Sequence, residues 1–251
     1  MKYKMIVLDV DGTLLTDEQT ISARTRATLL KVQQMGVRVV LASGRPTHGV
    51  MPLARALELD KNGGFVLSYN GAQIIHVPTG ERVFERRIDP QFMAYLERGA
   101  RKRGFTIFTY REDRIVTSNA QNVHVQHEAK LNGMRVEEAT DWAEAVDFSP
   151  CKVMLVSDDE AALVGLEELA GVLDVLRSED YYLEVVAESV DKSNTLTVLL
   201  EKEGIDPTDV VAIGDGVRDV PMLQLAGLGV AMGNAQDSVK ACADVVTLTN
   251  A

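Results

Sequence analysis

At 251 residues the chain is long enough for one large or two modest domains, and a 46% apolar, 25% charged composition is ordinary for a globular protein. The formal net charge of -11 argues against nucleic acid or an anionic membrane surface as partner, because phosphate backbones attract basic surfaces. Any phosphorylated ligand must then be drawn in locally, by a metal ion or a few placed cations. No stretch is long and apolar enough to suggest a bilayer span. Asp9 and Asp11 interrupt the N-terminal apolar run too early for a signal peptide, so a cytoplasmic location is expected. Cys151 and Cys242, far apart and outside any C-x-x-C pattern, are expected as buried thiols in a reducing cytosol.

The apolar, β-branched run over 5–8 predicts a strand buried on both faces of a parallel sheet. It ends on Asp9 and Asp11, followed by Gly12 and Thr13. Ligands of open α/β sheets bind beyond the carboxyl ends of the strands, which is where both acids would project. Alternation places them on one side, with Val10 turned into the core. Two like charges held that close suit a metal ion or a shared proton. A strand-end turn is the plain alternative for D-x-D-G taken alone.

Ser22 as N-cap and apolar residues at helical spacing predict a helix over 23–35, stopped by Gly36. A second buried strand over 37–42 completes a βαβ unit. It runs into Ser43-Gly44-Arg45-Pro46. Ser43 would sit at the same sheet edge as Asp9, Gly44 lets a ligand approach the backbone, and Pro46 can open the next helix. A hydroxyl and a helix N-terminus beside two carboxylates would form an anion site next to a cation site, with a helix-capping ST-turn as the alternative. A third strand over 65–68 leads into Tyr69-Asn70-Gly71, a hairpin signal, with paired strands over 72–77 and 82–88.

From about residue 81 the rhythm changes. Helices are expected over 90–103, 120–131 and 159–170, and strands over 105–110, 114–118, 152–156, 173–177 and 182–186. Hairpins alternating with helices indicate an α+β layer. The organisation expected is a core from 1–80 and 190–251, with 81–189 inserted as a second domain. Parallel-sheet patterning resumes at Asp191-Lys192-Ser193-Asn194, ahead of a helix over 195–203. A lysine in a first helical turn opposes the helix dipole, so it is either placed for another purpose or simply solvated.

A strand over 210–213 ends in Gly214-Asp215-Gly216-Val217-Arg218-Asp219. If it lies beside the first strand, its two acids complete a four-acid cluster. A helix over 220–225 and short strands over 228–232 and 244–248 close the chain. Hard oxygen ligands select Mg²⁺ over softer metals. His124 and His127 have i, i+3 spacing, but no third ligand is near them in sequence. Trp142, Tyr110, Tyr181 and Tyr182 either line a pocket or pack a small core.

DVDGT at 9–13, SGR at 43–45, DKSNTL at 191–196 and GDGVRD at 214–219 resemble the four motifs of the haloacid dehalogenase (HAD) superfamily of phosphohydrolases. Their order, and the insertion between the second and third, are similar to the Cof-type, HAD-IIB branch with a C2 cap, as is Ser-Tyr-Asn-Gly-Ala at 68–72. The resemblance covers essentially the whole chain. It implies a Rossmann-like parallel-sheet α/β core with an inserted α+β C2-type cap. It further implies a Mg²⁺-dependent phosphohydrolase of a small phosphorylated metabolite, such as a sugar phosphate, a cofactor precursor or a nucleotide, working through an aspartyl-phosphate.

On that resemblance Asp9 is the nucleophile and Asp11 the general acid and base. Mg²⁺ is held by Asp9, the Asp11 backbone carbonyl and Asp215, with Asp219 bound directly or through a water. Ser43, Gly44, Asn70 and Lys192 hold the phosphate, and Arg45 either touches the leaving group or pins the cap. Arg218 stands where the family has Asn: a charge-assisted phosphate contact, pairing with Asp215 or Asp219, and an outward orientation are all open. Ser193 replaces the more usual Gly. A phosphosugar mutase using the same intermediate, a receiver-type signalling domain, disfavoured by its shorter length, and a binding protein weakened at Arg218 are the rival readings.

Overall fold

The computed structural model describes residues 2–157 and 173–250; the helix expected over 159–170 lies outside them. The chain divides into two compact units, Met1–Phe84 with Asp191–Ala251, and Glu85–Val190.

The first unit opens with β1 (Met5–Asp9), α1 (Ala23–Gln34), β2 (Arg38–Ala42), α2 (Thr47–Ala56), a short α3 (Leu59–Asn62), β3 (Phe65–Ser68), β4 (Gln73–His76) and β5 (Glu81–Glu85). The second unit contributes α4 (Met93–Arg103), β6 (Thr106–Arg111), β7 (Arg114–Thr117), α5 (Val123–Asn132), β8 (Arg135–Glu138), α6 (Trp142–Ala145), β9 (Lys152–Val156), β10 (Leu173–Glu179) and β11 (Tyr182–Ala187). The chain then returns with α7 (Lys192–Glu203), β12 (Val210–Gly214), α8 (Val220–Leu225), β13 (Leu228–Ala231), α9 (Asp237–Lys240) and β14 (Val245–Val246).

The core sheet has the order β14-β13-β12-β1-β2-β3-β4-β5, parallel from β14 through β3, with β4 antiparallel to β3. β1 is thus central, flanked by β2 and β12, which explains its apolar sequence: neither face meets water. Met5 and Val7 pack with Leu196, Leu199, Met222 and Leu223 of α7 and α8. Leu8 packs instead with Leu29, Val50 and Ala54 of α1 and α2. Period-two alternation therefore feeds two cores from one strand. Register aligns Asp9 with Ala42 and Leu8 with Ile213, so the loops after β1, β2 and β12 start side by side.

The second unit's sheet runs β10-β11-β9-β6-β7-β8, antiparallel except for the β7–β8 pair, which α5 connects. One face packs Met93, Leu96 and Ala100 of α4 and Trp142 of α6 against Ile107, Val116, Val153, Leu155, Leu183 and Val185. Trp142 is fully buried and its Nε1–H donates to the Val116 carbonyl at 2.9 Å, so it packs this core. Tyr110 and Tyr182 are buried too, their hydroxyls donating to Glu128 and to the His124 carbonyl at 2.9 and 2.7 Å. β8 and α6 had no counterpart in the sequence expectation: RVEE and WAEA are too short and too charged to show a period. Cys151 and Cys242 are half-buried thiols rather than buried ones. Among the described residues no helix is long and apolar enough to cross a membrane.

Candidate active site

Asp9 ends β1 buried, at 6% exposure. After Val10 turns into the core the chain reverses, with Asp11 extended and Gly12 left-handed at φ 78°. A Cβ on Gly12 would come within 2.3 Å of Asp215 Oδ2, so the position needs both a positive φ and the missing side chain. Thr13 Oγ1 donates to Asp215 Oδ1 at 2.7 Å, tying the loop after β1 to the loop after β12. Asn234 Nδ2 donates to the Gly12 carbonyl at 2.8 Å, and Asn234 Oδ1 accepts from the Asn250 amide at 3.2 Å.

Lys192 is the first residue of α7, one turn earlier than expected from sequence, and Asp191 caps that helix by accepting from the Asn194 amide at 2.7 Å. Gly71, at φ 104°, docks against this cap so closely that a Cβ would lie 2.6 Å from the Asp191 carbonyl oxygen. Thr195 Oγ1 donates back to the Gly71 carbonyl at 2.8 Å. The buried Lys192 ammonium is thereby delivered to Asp9 Oδ1 at 2.5 Å and Asp219 Oδ1 at 2.7 Å. Asp219 Oδ2 accepts from the amides of Asp215 and Gly216 at 3.1 and 3.0 Å.

Carboxylate oxygens of Asp9, Asp215 and Asp219 lie within 4.8 Å of one another, the one such grouping of metal-ligating side chains among the described residues. Burial pushes the Asp9 carboxyl up to about 8; Lys192 pulls it down, and repulsion from Asp219 and Asp215 adds to the rise. Burial, with Asp219 close by, also raises Asp215, against the pull of the Thr13 hydrogen bond. Burial disfavours the Lys192 charge, but Asp9 and Asp219 outweigh it and hold the ammonium above its ordinary range. Three acids facing one ammonium leave the site short of positive charge. A hard divalent cation fits that donor set.

The loops after β2 and β3 are stitched together beside these acids. Ser43 is buried, and its Oγ accepts from the Arg45 amide at 3.1 Å, which leaves its own O–H to donate. The Asn70 amide donates to the Ser43 carbonyl at 3.0 Å and that of Tyr69 to the Arg45 carbonyl at 2.9 Å. The buried Asn70 side chain lies over Gly44, where a Cβ would meet Asn70 Oδ1 at 2.9 Å.

Several expectations change. Asp11 does not join the other carboxylates: its side chain is 46% exposed and pairs with Arg45, so the converging acids number three rather than four. The cause is Arg45, a guanidinium only 8% exposed, which needs an anion and finds it in Asp11. Its Nε donates to Asp11 Oδ2 at 2.8 Å, and its Nη2 reaches both Asp11 Oδ1 and Gln19 Oε1. Pro46 precedes α2 rather than opening it. Arg218 is half-buried in the turn Val217–Asp219. Among the described residues His124 belongs to no metal-ligating group, and its ring stacks on Tyr181, ring centroids 3.8 Å apart. Gln19 and Asn234 were missed by sequence reasoning, since each acts on a residue that nothing local connects to it.

The haloacid dehalogenase-like hydrolase family profile matches residues 6–251. A haloacid dehalogenase-like hydrolase from Bacteroides thetaiotaomicron is 44% identical, with a TM-score of 0.95 over 99% of this chain and 95% of that one. The 5-amino-6-(5-phospho-D-ribitylamino)uracil phosphatase of Bacillus subtilis is 32% identical over 98% of this chain and 90% of its own length. The fold is also that of a HAD subclass IIB sugar phosphatase, 22% identical with a TM-score of 0.83 over 98% of this chain and 94% of that one. This chain therefore belongs to the haloacid dehalogenase-like hydrolases, as a phosphatase.

Proposed function

We propose that the protein is a Mg²⁺-dependent phosphohydrolase that releases phosphate from a small phosphorylated metabolite through an aspartyl-phosphate on Asp9. The observation that carries this reading is the buried Asp9 carboxylate, held by Lys192 and grouped with Asp215 and Asp219. Those three acids would hold the ion, with the Asp11 backbone carbonyl as a further ligand; once bound it shields the acids from the incoming phosphate.

An Asp9 oxygen attacks phosphorus while the bond from phosphorus to the leaving oxygen breaks, and Asp11 gives that oxygen its proton. Asp11 then takes a proton from the water that attacks the acyl phosphate, which frees inorganic phosphate and restores Asp9. Lys192, the Ser43 hydroxyl, the Gly44 amide and the Asn70 side chain bind the phosphoryl oxygens, with Arg218 as a further cation beside them. Small phosphorylated metabolites are the substrate class favoured, since the Bacillus subtilis relative is named as a phosphatase of 5-amino-6-(5-phospho-D-ribitylamino)uracil.

The test is a screen of such esters for phosphate release, with Mg²⁺ and with a chelator. Release from a subset of them that stops on chelation is expected. No release from any ester, or conversion of a hexose phosphate to an isomer without free phosphate, would overturn the hydrolase reading.

A further inference from the structure

We infer that Arg45 is the positioning residue for the proton-transferring carboxylate: it reads the orientation of Asp11 rather than the substrate phosphate, and Gln19 completes the brace. The inference rests on the phosphohydrolase reading above and adds a component to it. Asp11 has no rigid element of its own, lying two residues past the end of β1 in a chain reversal with a left-handed residue after it. Its side chain is half exposed and free to rotate unless something holds it.

Arg45 has what is needed to hold it. Its backbone is fixed, since its amide donates to Ser43 Oγ and its carbonyl accepts from the Tyr69 amide at 2.9 Å. Its guanidinium is buried, planar and permanently charged, and it meets Asp11 through two nitrogens, one on each carboxylate oxygen. The nitrogen that takes Asp11 Oδ1 also donates to Gln19 Oε1, which stops the fork from swivelling. Gln19 is itself held in a left-handed conformation, φ 59°, in the turn where the amide of Gln19 bonds the Thr16 carbonyl at 2.9 Å. Each carboxylate oxygen spends one lone pair on the guanidinium and keeps the other. The exposed side of Asp11 can therefore meet a leaving oxygen or a water while the inner side stays clamped. Arg45 moves no proton itself.

A brace of this kind has a kinetic signature that a phosphate ligand or a mere scaffold residue lacks. Esters of p-nitrophenol expel a stable anion and need little protonation, whereas alkyl phosphates need it fully. The experiment measures kcat/KM, which reports the steps through leaving-group departure, for a series from p-nitrophenyl to primary alkyl phosphates with Mg²⁺ present. Arg45→Gln is expected to lose about 10²-fold or more on alkyl phosphates but less than about tenfold on p-nitrophenyl phosphate. Arg45→Lys should fall between, because an ammonium keeps the charge and loses the fork. In an Asp11→Asn background Arg45→Gln should add almost nothing. Equal losses on all esters, in Arg45→Gln and Arg45→Lys alike, would overturn the inference while leaving the hydrolase reading intact. Asp11→Asn without the leaving-group dependence would instead overturn the acid assignment, and this inference with it.

Discussion

At the scale of single residues, small changes next to Asp9 should have large effects because the site is crowded by design of its backbone. Gly12 cannot accept a side chain without moving Asp215, and its φ of 78° disfavours any L residue by about 1–2 kcal/mol. Gly12→Ala should therefore cut kcat/KM by at least about 10²-fold, as misplacement of about 1 Å in an active site does. Its unfolding midpoint should fall only slightly. Near-wild-type activity in the steady-state assay would show that the contact between Gly12 and Asp215 does not hold the site in shape. Much of this was legible beforehand: Asp9, Ser43, Lys192, Asp215 and Asp219 all follow apolar runs or open a helix, and strand ends locate chemistry in such sheets. The partner chosen by Asp11 was not legible, because a short stretch of sequence shows that a carboxylate is present without showing which distant guanidinium will be buried beside it.

Individual elements explain which parts of the fold could be read. β1, β2, β3, β9 and β12 are short runs buried on both faces, so their composition alone marks them. β8 and α6 are brief and charged, and exist because α5 returns the chain alongside β7 and because Trp142 finds a core. The β9–β11 pair carries an unusual feature, the ammonium of Lys152 and the Glu184 carboxylate 3.5 Å apart with both side chains nearly fully buried. Tyr110 lies beside them, its ring 5.5 Å from the Lys152 ammonium. Removing one member of a buried pair takes away the opposite charge that offsets the other's burial. Lys152→Met should destabilise the protein by about 3–5 kcal/mol in urea unfolding, whereas Lys152→Met with Glu184→Leu should recover most of that loss. Equal destabilisation by the single and double substitutions would show that the pair does not act as a unit.

On the scale of the whole molecule, the site depends on two distant parts of one chain meeting across the centre of a sheet. β1 comes from the first few residues and β12 from beyond position 209, yet they are neighbours, and Thr13 bonds to Asp215 across 202 positions. The insertion separating them folds as a compact unit of its own. Everything downstream of that arrangement rests on Asp9 receiving the phosphoryl group. The direct measurement is mass spectrometry of Asp11→Asn protein quenched in acid after reaction with p-nitrophenyl phosphate, whose leaving group needs little protonation, since that variant should then form the acyl phosphate and hydrolyse it slowly. A phosphoryl adduct on the peptide containing Asp9, absent when Asp9→Asn is treated identically, is the predicted result. An adduct on another residue, or full turnover by Asp9→Asn, would contradict the account.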